Sequence, residues 1–538
     1  MRRFGWTEYG VAIVVFATVF AMLTSFKLIR SDQDGGDSAM YFQGIENLAS
    51  RGAAVSQTQA SIVDYLNLNR YLATPTEEFV KDPVPLFGRP AAASERSLFL
   101  GHAYFILYPI AALVRVFPVR NVLFSLFVFT FTGVVLLAYF TLRSKGVSIA
   151  GAFLFCLLIV TQPAWWEGLL WGQFYPDRCF ILAGFIFMGL ASLGAPQMGK
   201  ISNRVWLLIA ALVCASINER GAIVAGMFLL LYVILYWKKS GLDRYYKLAL
   251  SVALLCYGLI VVKLLLPTAS DYGTFLPMSL SAVLSTLQQP RFVPLVTLFL
   301  LVNAPLFCLA LFEWRAALIA AILMGPNIFG TIGGAEKIGW MTHYTSFFFP
   351  SLVWAGLIGY SALFEKAKSN KLLPAVYVLT GTLMLFLSMV NPGSIDPISI
   401  NFSNATESVF PSFGEAAQRY LFQTSSRQSL EEAADGISRA VPPNTVVSSV
   451  EGGMPLLYKD RTIEYFPKDI DNADYAVLGA QMIDGKITYN GALSYVGADE
   501  QKKLNDLVLS RMKRDGYDVD HPKLFPAFKG LAVVRRVH

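Results

Sequence analysis

The sequence predicts a mainly α-helical, polytopic membrane protein of about eleven transmembrane helices with a small C-terminal α/β domain. The composition, the spacing of the apolar stretches and the distribution of Lys and Arg lead to this prediction. Hydrophobic residues make up 55 % of the 538 residues and charged residues 15 %, and the mean hydropathy is +0.50. Soluble proteins carry about 25 % charge. The composition therefore excludes a cytosolic enzyme, a disordered protein and a secreted disulfide scaffold.

The first apolar stretch, about 10–30, follows Arg2 and Arg3. It is longer than a typical signal-peptide core and no A-x-A cleavage site follows it, so we interpret it as an uncleaved first transmembrane helix. Ten further apolar stretches are long enough, with their flanks, to cross a bilayer. They occupy 119–142, 147–163, 178–195, 205–218, 221–237, 248–266, 293–312, 315–333, 345–364 and 372–391.

The apolar stretch 98–117 contains Gly101, His102, Pro109 and Arg115, which suit a helix at the membrane interface. If it does not cross, Lys and Arg concentrate in the loops on one side of the membrane, and the opposite loops are poor in Lys. If it crosses, every later loop changes side and the positive-inside rule is violated. We therefore predict a multi-pass protein of the plasma (inner) membrane with a cytoplasmic N-terminus and a periplasmic or extracellular C-terminus.

Two domains follow from this topology. The transmembrane domain, 1–391, includes a first periplasmic loop with interfacial helices at 31–118, and 392–538 forms a periplasmic α/β domain. In the tail, strands are predicted at 445–450, 473–478 and 531–537, and helices at 429–441 and 499–515. Ser429 and Glu432 have the spacing of a capping box at the start of the first of these helices.

Neither the charge nor the cysteines point to another class of protein. The formal net charge of +7 is placed on short loops between apolar spans, which is a topogenic signal, so we expect no nucleic-acid partner. The five cysteines lie in or beside apolar runs without metal-ligand spacing, and no disulfide is predicted.

An acidic cluster, Asp32, Asp34 and Asp37, begins where the first helix leaves the membrane. A carboxylate there meets both a lipid headgroup and a hydroxyl from the aqueous side, and it is able to act as a general base. Gly35 and Gly36 allow a tight turn before Asp37. The alternative is a solvated acidic linker or a helix cap.

Other polar groups occur at the outer ends of apolar stretches, on the same predicted side as Asp37. Arg and His among them suit a phosphate ligand, whereas the alternatives are snorkelling side chains and helix-end ion pairs such as Glu219 with Arg220. The polar groups at these outer ends are His102, Tyr175-Pro176-Asp177-Arg178, Glu219-Arg220 and His343-Tyr344.

The turn Trp165-Trp166-Glu167 is interpreted as an interfacial belt or, alternatively, as a surface that stacks on a sugar.

A divalent ion held by His102, His343, Glu167 and Asp177 is a further alternative, but no spacing in the sequence requires it. We expect no cofactor.

Five segments carry a resemblance to a known family. The chain resembles the DUF2079 family of polytopic membrane proteins, which is similar to GT-C-type glycosyltransferases. The family has His where Tyr175 stands, Glu where Asp177 stands, and Lys-Glu-Asp in place of Asn218-Glu219-Arg220. These departures disfavour a metal and favour phosphate binding. The segments are GDSAMYFQGIENLASRG (36–52), LGHAYFILYPIAALVRVFP (100–118), GQFYPDRCFILAGFIF (172–187), INERGAIVAGMFLLLY (217–232) and HYTSFFFPSLVWAGLIG (343–359).

The resemblance implies a GT-C fold and an inverting glycosyltransferase of the periplasmic or extracellular face. The donor is a polyprenyl-phosphate-linked sugar, and the acceptor is a hydroxyl of a cell-envelope glycan, lipid or protein that the tail helps to bind. Asp37 becomes the base and Asp34 the second candidate. The implied donor-phosphate ligands are His102, Arg178, Arg220 and His343, and the implied sugar or acceptor ligands are Asp177, Glu219, Tyr344 and Glu167.

Other functions remain open at this point. A lipid or glycan transporter or flippase without transferase activity is the main alternative, although the sequence has no internal repeat and its polar groups gather at one membrane face. A polymerase or ligase of lipid-linked glycans and a scaffold protein are the others.

Overall fold

A computed structural model gives the architecture of most of the chain. It describes residues 6–29, 36–60, 95–162, 174–193, 200–238, 243–265, 281, 284, 287–288, 292–329, 345–367, 372–390, 424–483, 486–490, 498–527 and 530–537. The described part is mostly helical, with a mixed β-sheet near the C-terminus.

Thirteen α-helices whose bounds the structure gives precede the tail, and most of them follow the predicted apolar stretches. They are α1 (Trp6–Ile29), α2 (Gly36–Arg51), α3 (Leu107–Val114), α4 (Val119–Ser144), α5 (Ile149–Val160), α6 (Cys179–Leu193), α7 (Lys200–Ile217), α8 (Glu219–Leu235), α9 (Asp243–Ile260), α10 (Phe292–Ala310), α11 (Trp314–Phe329), α12 (Thr345–Lys366) and α13 (Leu372–Val390).

Several of these helices are suited to crossing a membrane. Five described segments are long and apolar enough, namely Val119–Ser144, Pro176–Leu193, Asp243–Leu264, Asn303–Phe329 and Thr345–Lys366. Four shorter apolar segments accompany them, Trp6–Ala21, Ile149–Val160, Asn203–Ile217 and Leu372–Thr382. A membrane protein with several apolar helices is thus confirmed, while the number eleven stays a prediction.

Helix α12 lies in the middle of the bundle, and nearly all of its side chains are buried. It packs against α6, α10 and α11. Gly359 lies against the backbone carbonyl of Leu309 on α10, where a Cβ atom would overlap the oxygen, and Gly356 lies close to Leu306. Small residues allow such close approach between membrane helices.

A buried ion pair shows how α1 and α4 run relative to each other. Arg143, in the last turn of α4, bonds to Glu8 in the first turn of α1 and to the carbonyl of Val147. Since the start of α1 and the end of α4 meet, the two helices are antiparallel, as expected if the stretch 98–117 does not cross the membrane. Helix α3 in that stretch has eight residues, too few to cross a bilayer alone, and the topology of the stretch stays a prediction.

The stretch 98–117 is not one continuous helix, however. A 3₁₀ turn at Leu98–Leu100 is capped by Ser97, 101–106 is non-helical, and α3 covers only Leu107–Val114. The non-helical part arises because His102 and the backbone N–H of Ala103 bond to Glu219 instead of to their own segment.

The tail forms the predicted α/β unit. Its described strands are β3 (Val446–Ser449), β4 (Thr462–Tyr465), β5 (Tyr475–Ile483), β6 (Lys486–Asn490), β7 (Lys523–Phe525) and β8 (Leu531–Arg535), and its helices are α14 (Thr424–Ala440), α15 (Met454–Leu457) and α16 (Ala498–Arg514). The strand order is β4-β3-β5-β8-β7, with β6 paired to the second half of β5. Strand β3 is parallel to β4 and β5, and the other pairs are antiparallel.

Two details of the tail differ from the prediction. Helix α14 begins at Thr424, so Ser429 lies inside the helix and does not cap it. Strands β4, β6 and β7 are short and were not predicted, because three to five residues give too little alternation to be recognised. The predicted domain boundary at 392 lies outside the described residues.

A separate pair of two-residue strands, β1 (Val55–Ser56) and β2 (Arg96–Ser97), lies outside the tail and follows α2.

The tail packs directly on α2. Ala39 is fully buried within the hydrophobic core of the tail, together with Met454 and Leu457 of α15. The hydroxyl of Tyr458 donates a hydrogen bond of 3.1 Å to Glu46. Helix α2 is thus enclosed between the membrane helices and the tail.

Candidate active site

Asp37 lies in the first turn of α2, where the helix dipole favours a carboxylate. Its side chain is half-buried and accepts a hydrogen bond from the hydroxyl of Tyr175. The neighbouring Ser38 accepts a bond of 3.3 Å from the backbone N–H of Phe174. The start of α2 is therefore fixed against the turn that precedes α6.

Burial raises the pKa of Asp37 to about 6, the hydrogen bond from Tyr175 lowers it, and the charge of Glu451 raises it. At neutral pH the carboxyl is still mostly ionised, but it binds a proton more strongly than an ordinary aspartate. That combination suits a general base working near neutral pH.

The turn before α6 carries two predicted site residues. Tyr175 precedes a 3₁₀ turn at Pro176–Arg178, which Pro176 favours because it lacks the N–H that this position leaves without a partner. Asp177 is fully buried and accepts a hydrogen bond of 2.7 Å from the Asn218 amide. Arg178 is buried too, and its guanidinium lies 5.7 Å from the centre of the Phe127 ring.

The start of α8 carries two more predicted site residues, Glu219 and Arg220. Asn218 caps the helix, and its side-chain oxygen accepts from the backbone N–H of Arg220 at 2.8 Å. Glu219 is fully buried; one carboxylate oxygen lies 2.9 Å from Nδ1 of His102 and the other accepts from the N–H of Ala103 at 2.9 Å. The hydrogen bonds of Glu219 thus connect α8 to the segment before α3, while Arg220 acts on it through charge.

A chain of aromatic side chains joins His102, beside the start of α8, to Asp37 at the start of α2. The ring of His102 lies 5.1 Å from that of Tyr104, whose hydroxyl accepts a bond of 3.2 Å from Tyr41. The Tyr41 ring lies 5.7 Å from the ring of Tyr175, which bonds to Asp37. The structure therefore brings His102, Asp177, Glu219 and Arg220 into one network that reaches Asp37, and Asp177 interacts electrostatically with both His102 and Arg220.

Sequence reasoning missed three residues of this network. Tyr41 lies one helical turn after Asp37, and Tyr104 lies two residues after His102, so their spacing to the predicted residues was available as a signal. Asn218 was noted only as a departure from the family pattern, although Asn before a helix is a common cap.

The tail contributes a further charge. Glu451 follows β3 in the turn that leads to α15, and it accepts a long hydrogen bond of 3.5 Å from Tyr465. Its carboxylate is near enough to raise the pKa of Asp37. Nothing in the sequence links the two residues, because the tail reaches α2 only through tertiary packing.

Four predicted residues, Asp34, Glu167, His343 and Tyr344, lie outside the described residues. Within the described ranges, no group of three His, Cys, Asp or Glu side chains is placed to hold a metal ion. The roles predicted for these four residues stay predictions, and so does the alternative of a divalent ion held by His102, His343, Glu167 and Asp177.

No family model matches the chain, and no curated protein matches it. Among solved structures, the chain is similar to ArnT from Cupriavidus metallidurans bound to undecaprenyl phosphate, with 12 % identity, a TM-score of 0.49 and coverage of 99 % of each chain. The DUF2079 resemblance stays a prediction, and the function has to be inferred from the site itself.

Proposed function

We propose that the protein is an integral membrane glycosyltransferase that moves a sugar from a polyprenyl-phosphate-linked donor to an acceptor hydroxyl on the periplasmic or extracellular face. The observation that carries this proposal is Asp37, a half-buried carboxylate with a pKa of about 6 at the start of an interfacial helix. It lies at the junction of the membrane helices, the first outer loop and the tail.

In the proposed reaction, Asp37 accepts the proton of the acceptor hydroxyl as its oxygen attacks the anomeric carbon of the donor sugar. The bond between that carbon and the phosphate oxygen breaks, and the polyprenyl phosphate leaves with the electron pair. Attack from the face opposite the phosphate inverts the configuration. Asp34 is the second candidate for the base.

The leaving phosphate gains negative charge, which cationic side chains stabilise. We assign this role to His102, Arg178, Arg220 and His343. Glu219 supports the assignment of His102, because its carboxylate holds the imidazole through Nδ1 at 2.9 Å. With cations to take the phosphate charge, we propose a reaction that requires no metal or other cofactor.

We assign Asp177, Glu219, Tyr344 and Glu167 to orienting the sugar or the acceptor. For Asp177 and Glu219, burial and internal hydrogen bonds favour an indirect contribution, in which they position α8 and His102 around the donor.

The test is transfer of sugar from a panel of radiolabelled polyprenyl-phosphate sugars by the purified full-length protein, with cell-envelope membranes as the acceptor source. Wild type, Asp37→Asn and Asp506→Asn are compared, the last being an exposed aspartate of α16 that serves as the matched control. Removing the base is expected to lower transfer at least about 100-fold, with the control unchanged.

Full transfer by Asp37→Asn removes Asp37 as the base. Because the variant replaces a half-buried carboxylate by a neutral amide of the same shape, its thermal stability is expected to equal or exceed that of wild type. Lipid movement across proteoliposome membranes without any turnover of donor, in both proteins, favours the transporter alternative.

A further inference from the structure

Arg244 lies between two aromatic rings at the start of α9. Its Cζ atom is 4.4 Å from the centre of the Trp237 ring and 4.8 Å from the centre of the Tyr245 ring. The two rings stand nearly perpendicular to each other, with an interplanar angle of 78°, and both are exposed. Contact with two aromatic rings restricts the orientation of a guanidinium. We call these three residues the arginine clamp.

The arginine clamp lies at the end of the bundle opposite Asp37. Helix α6 begins beside the turn that bonds to Asp37, and it ends at Leu193. Near that far end, Nζ of Lys247 on α9 donates a hydrogen bond of 2.6 Å to the carbonyl of Ala191. The 15 residues of α6, about 22 Å of helix, separate the clamp from the candidate active site. The side of the membrane on which the clamp lies is the one that we predict to be cytoplasmic.

A second arrangement of the same kind is completed by a carboxylate. Arg315 is also the second residue of its helix, α11, and its Cζ atom lies 5.1 Å from the ring centre of Trp314 and 5.6 Å from that of Tyr236. The carboxylate of Glu313 lies 3.9 Å from the guanidinium of Arg315 and accepts a hydrogen bond of 3.0 Å from Tyr236. An arginine held by a Trp and a Tyr thus has its anion supplied by the chain itself at this position.

Within the part of the chain that the structure describes, no carboxylate pairs with Arg244. The nearby carboxylate of Asp243 accepts hydrogen bonds from Arg204 instead, at 2.6 and 3.0 Å. One Nη group of Arg244 donates to the Tyr245 hydroxyl at 3.0 Å, and Nε is buried, so a ligand reaches the outer edge of the guanidinium with its two Nη groups. That edge suits the oxygens of a phosphate. Because the helix dipole disfavours a cation in the first turn, the stability of α9 does not explain Arg244.

An exposed apolar stripe continues from the clamp along one face of α9. Its members recur every three or four residues and so share one side of the helix. Over these 14 positions the stripe extends about 21 Å along the helix axis. A ligand with an anionic head at Arg244 and apolar chains covers both the clamp and the stripe, whereas a free phosphate leaves the stripe exposed. The stripe consists of Tyr245, Ala249, Val252, Cys256 and Leu259.

We propose that the arginine clamp binds the phosphate of an anionic phospholipid, whose acyl chains lie along the stripe on α9. This inference goes beyond the proposed transferase function, because it concerns the opposite end of the bundle and needs no sugar donor. Basic pockets between transmembrane helices are known to bind anionic lipid headgroups. Trp237 follows the end of α8 and Arg244 lies at the start of α9, so the bound lipid joins these two helices. Lys238, an exposed neighbour of Trp237, adds a second positive charge at the headgroup level.

The experiment measures binding of phosphatidylglycerol to the delipidated full-length protein in detergent by native mass spectrometry. Arg244→Gln is expected to raise the Kd of the first bound phosphatidylglycerol at least about tenfold, because hydrogen bonds to a charged group are lost. Arg315→Gln is the matched control, since that arginine already has Glu313 as its anion, and it is expected to change the Kd less than about twofold. An unchanged Kd in Arg244→Gln, or an equal loss in Arg315→Gln, overturns the proposal.

A second pair of variants separates the clamp from simple attraction by net charge. Trp237→Leu keeps every charge but removes one ring, and it is expected to raise the Kd about threefold. Trp314→Leu, which removes an equally exposed tryptophan beside Arg315, is expected to leave the Kd unchanged. Equal binding by wild type and Trp237→Leu overturns the clamp as the binding site. Displacement of the bound lipid by millimolar inorganic phosphate overturns the proposal as well, because the site then takes a free anion.

Discussion

The hydroxyl of Tyr175 donates a hydrogen bond to the carboxyl of Asp37, which lies 138 residues earlier in the chain. This bond lowers the pKa of Asp37, whereas burial and Glu451 raise it. The proton affinity of the proposed base is thus set by three parts of the protein, namely α2, the turn before α6 and the tail.

Tyr175→Phe is expected to raise the pKa of Asp37 above 6, because the variant removes the bond that stabilises the ionised carboxylate. A hydrogen bond to a charged group contributes about 1.5–3 kcal/mol, which corresponds to a rise of about one to two pKa units. The acidic limb of the pH–rate profile of sugar transfer therefore moves to higher pH, and transfer at pH 7 falls about two- to tenfold. An unshifted limb means that Tyr175 does not act on the base.

Glu451→Gln is expected to move the same limb in the opposite direction. Removing the negative charge near Asp37 eases its ionisation, so its pKa falls and more of the base is ionised in mild acid. At pH 5 the variant should transfer sugar about threefold faster than wild type. Glu432→Gln, on an exposed position of α14, is the control, and an equal gain in that variant contradicts a specific effect of Glu451.

The local features of this site were accessible from the sequence. Asp37 follows the first apolar stretch directly, and the polar groups at the ends of later stretches are visible as interruptions of hydropathy. Their pairing was not accessible, because His102 and Glu219 are 117 residues apart and no periodicity relates them. The electrostatic interaction of Glu219 with Arg220 is accompanied by hydrogen bonds of Glu219 with His102 and Ala103, since a fully buried carboxylate requires hydrogen bonds to both oxygens.

Substitutions of Asn218 test whether its cap on α8 or its hydrogen bond to Asp177 contributes more to the stability of the protein. Asn218→Ala removes both and is expected to cost about 2–4 kcal/mol, from a lost cap and a buried acceptor without its donor. Asn218→Asp keeps a capping oxygen but brings a second carboxylate against Asp177, so it should destabilise the protein at least as much. The readout is the fraction of monodisperse protein after heating in detergent, and a stable Asn218→Asp would mean that the cap alone suffices.

Gly359 provides a test of the helix packing. Its replacement by Ala puts a methyl group onto the carbonyl oxygen of Leu309 and forces α10 and α12 apart, which is expected to cost about 1–3 kcal/mol. Gly325→Ala, on α11, is the matched control because no atom lies within 4 Å of its added Cβ. The same heating assay should show Gly359→Ala aggregating first, and equal behaviour of the two variants contradicts the close approach.

The tail shows a similar division between local and tertiary information. Helices α14 and α16 were predicted, over 429–441 and 499–515, because amphipathic patterns of that length are long enough to recognise. The contact of Ala39 with the tail core was not predicted, because a small residue in a short helix fits lipid, water or protein equally well by composition.

The buried pair of Glu8 and Arg143 has a consequence for how the protein is made. The two residues are 135 positions apart, so Glu8 is synthesised and delivered to the bilayer long before its cation exists. Until α4 has been inserted, the carboxylate has to stay at the lipid–water boundary, since burying an ionised carboxylate without a partner is costly. We therefore expect α1 to take its final place against α4 only after α4 has been inserted, as a late event in biogenesis.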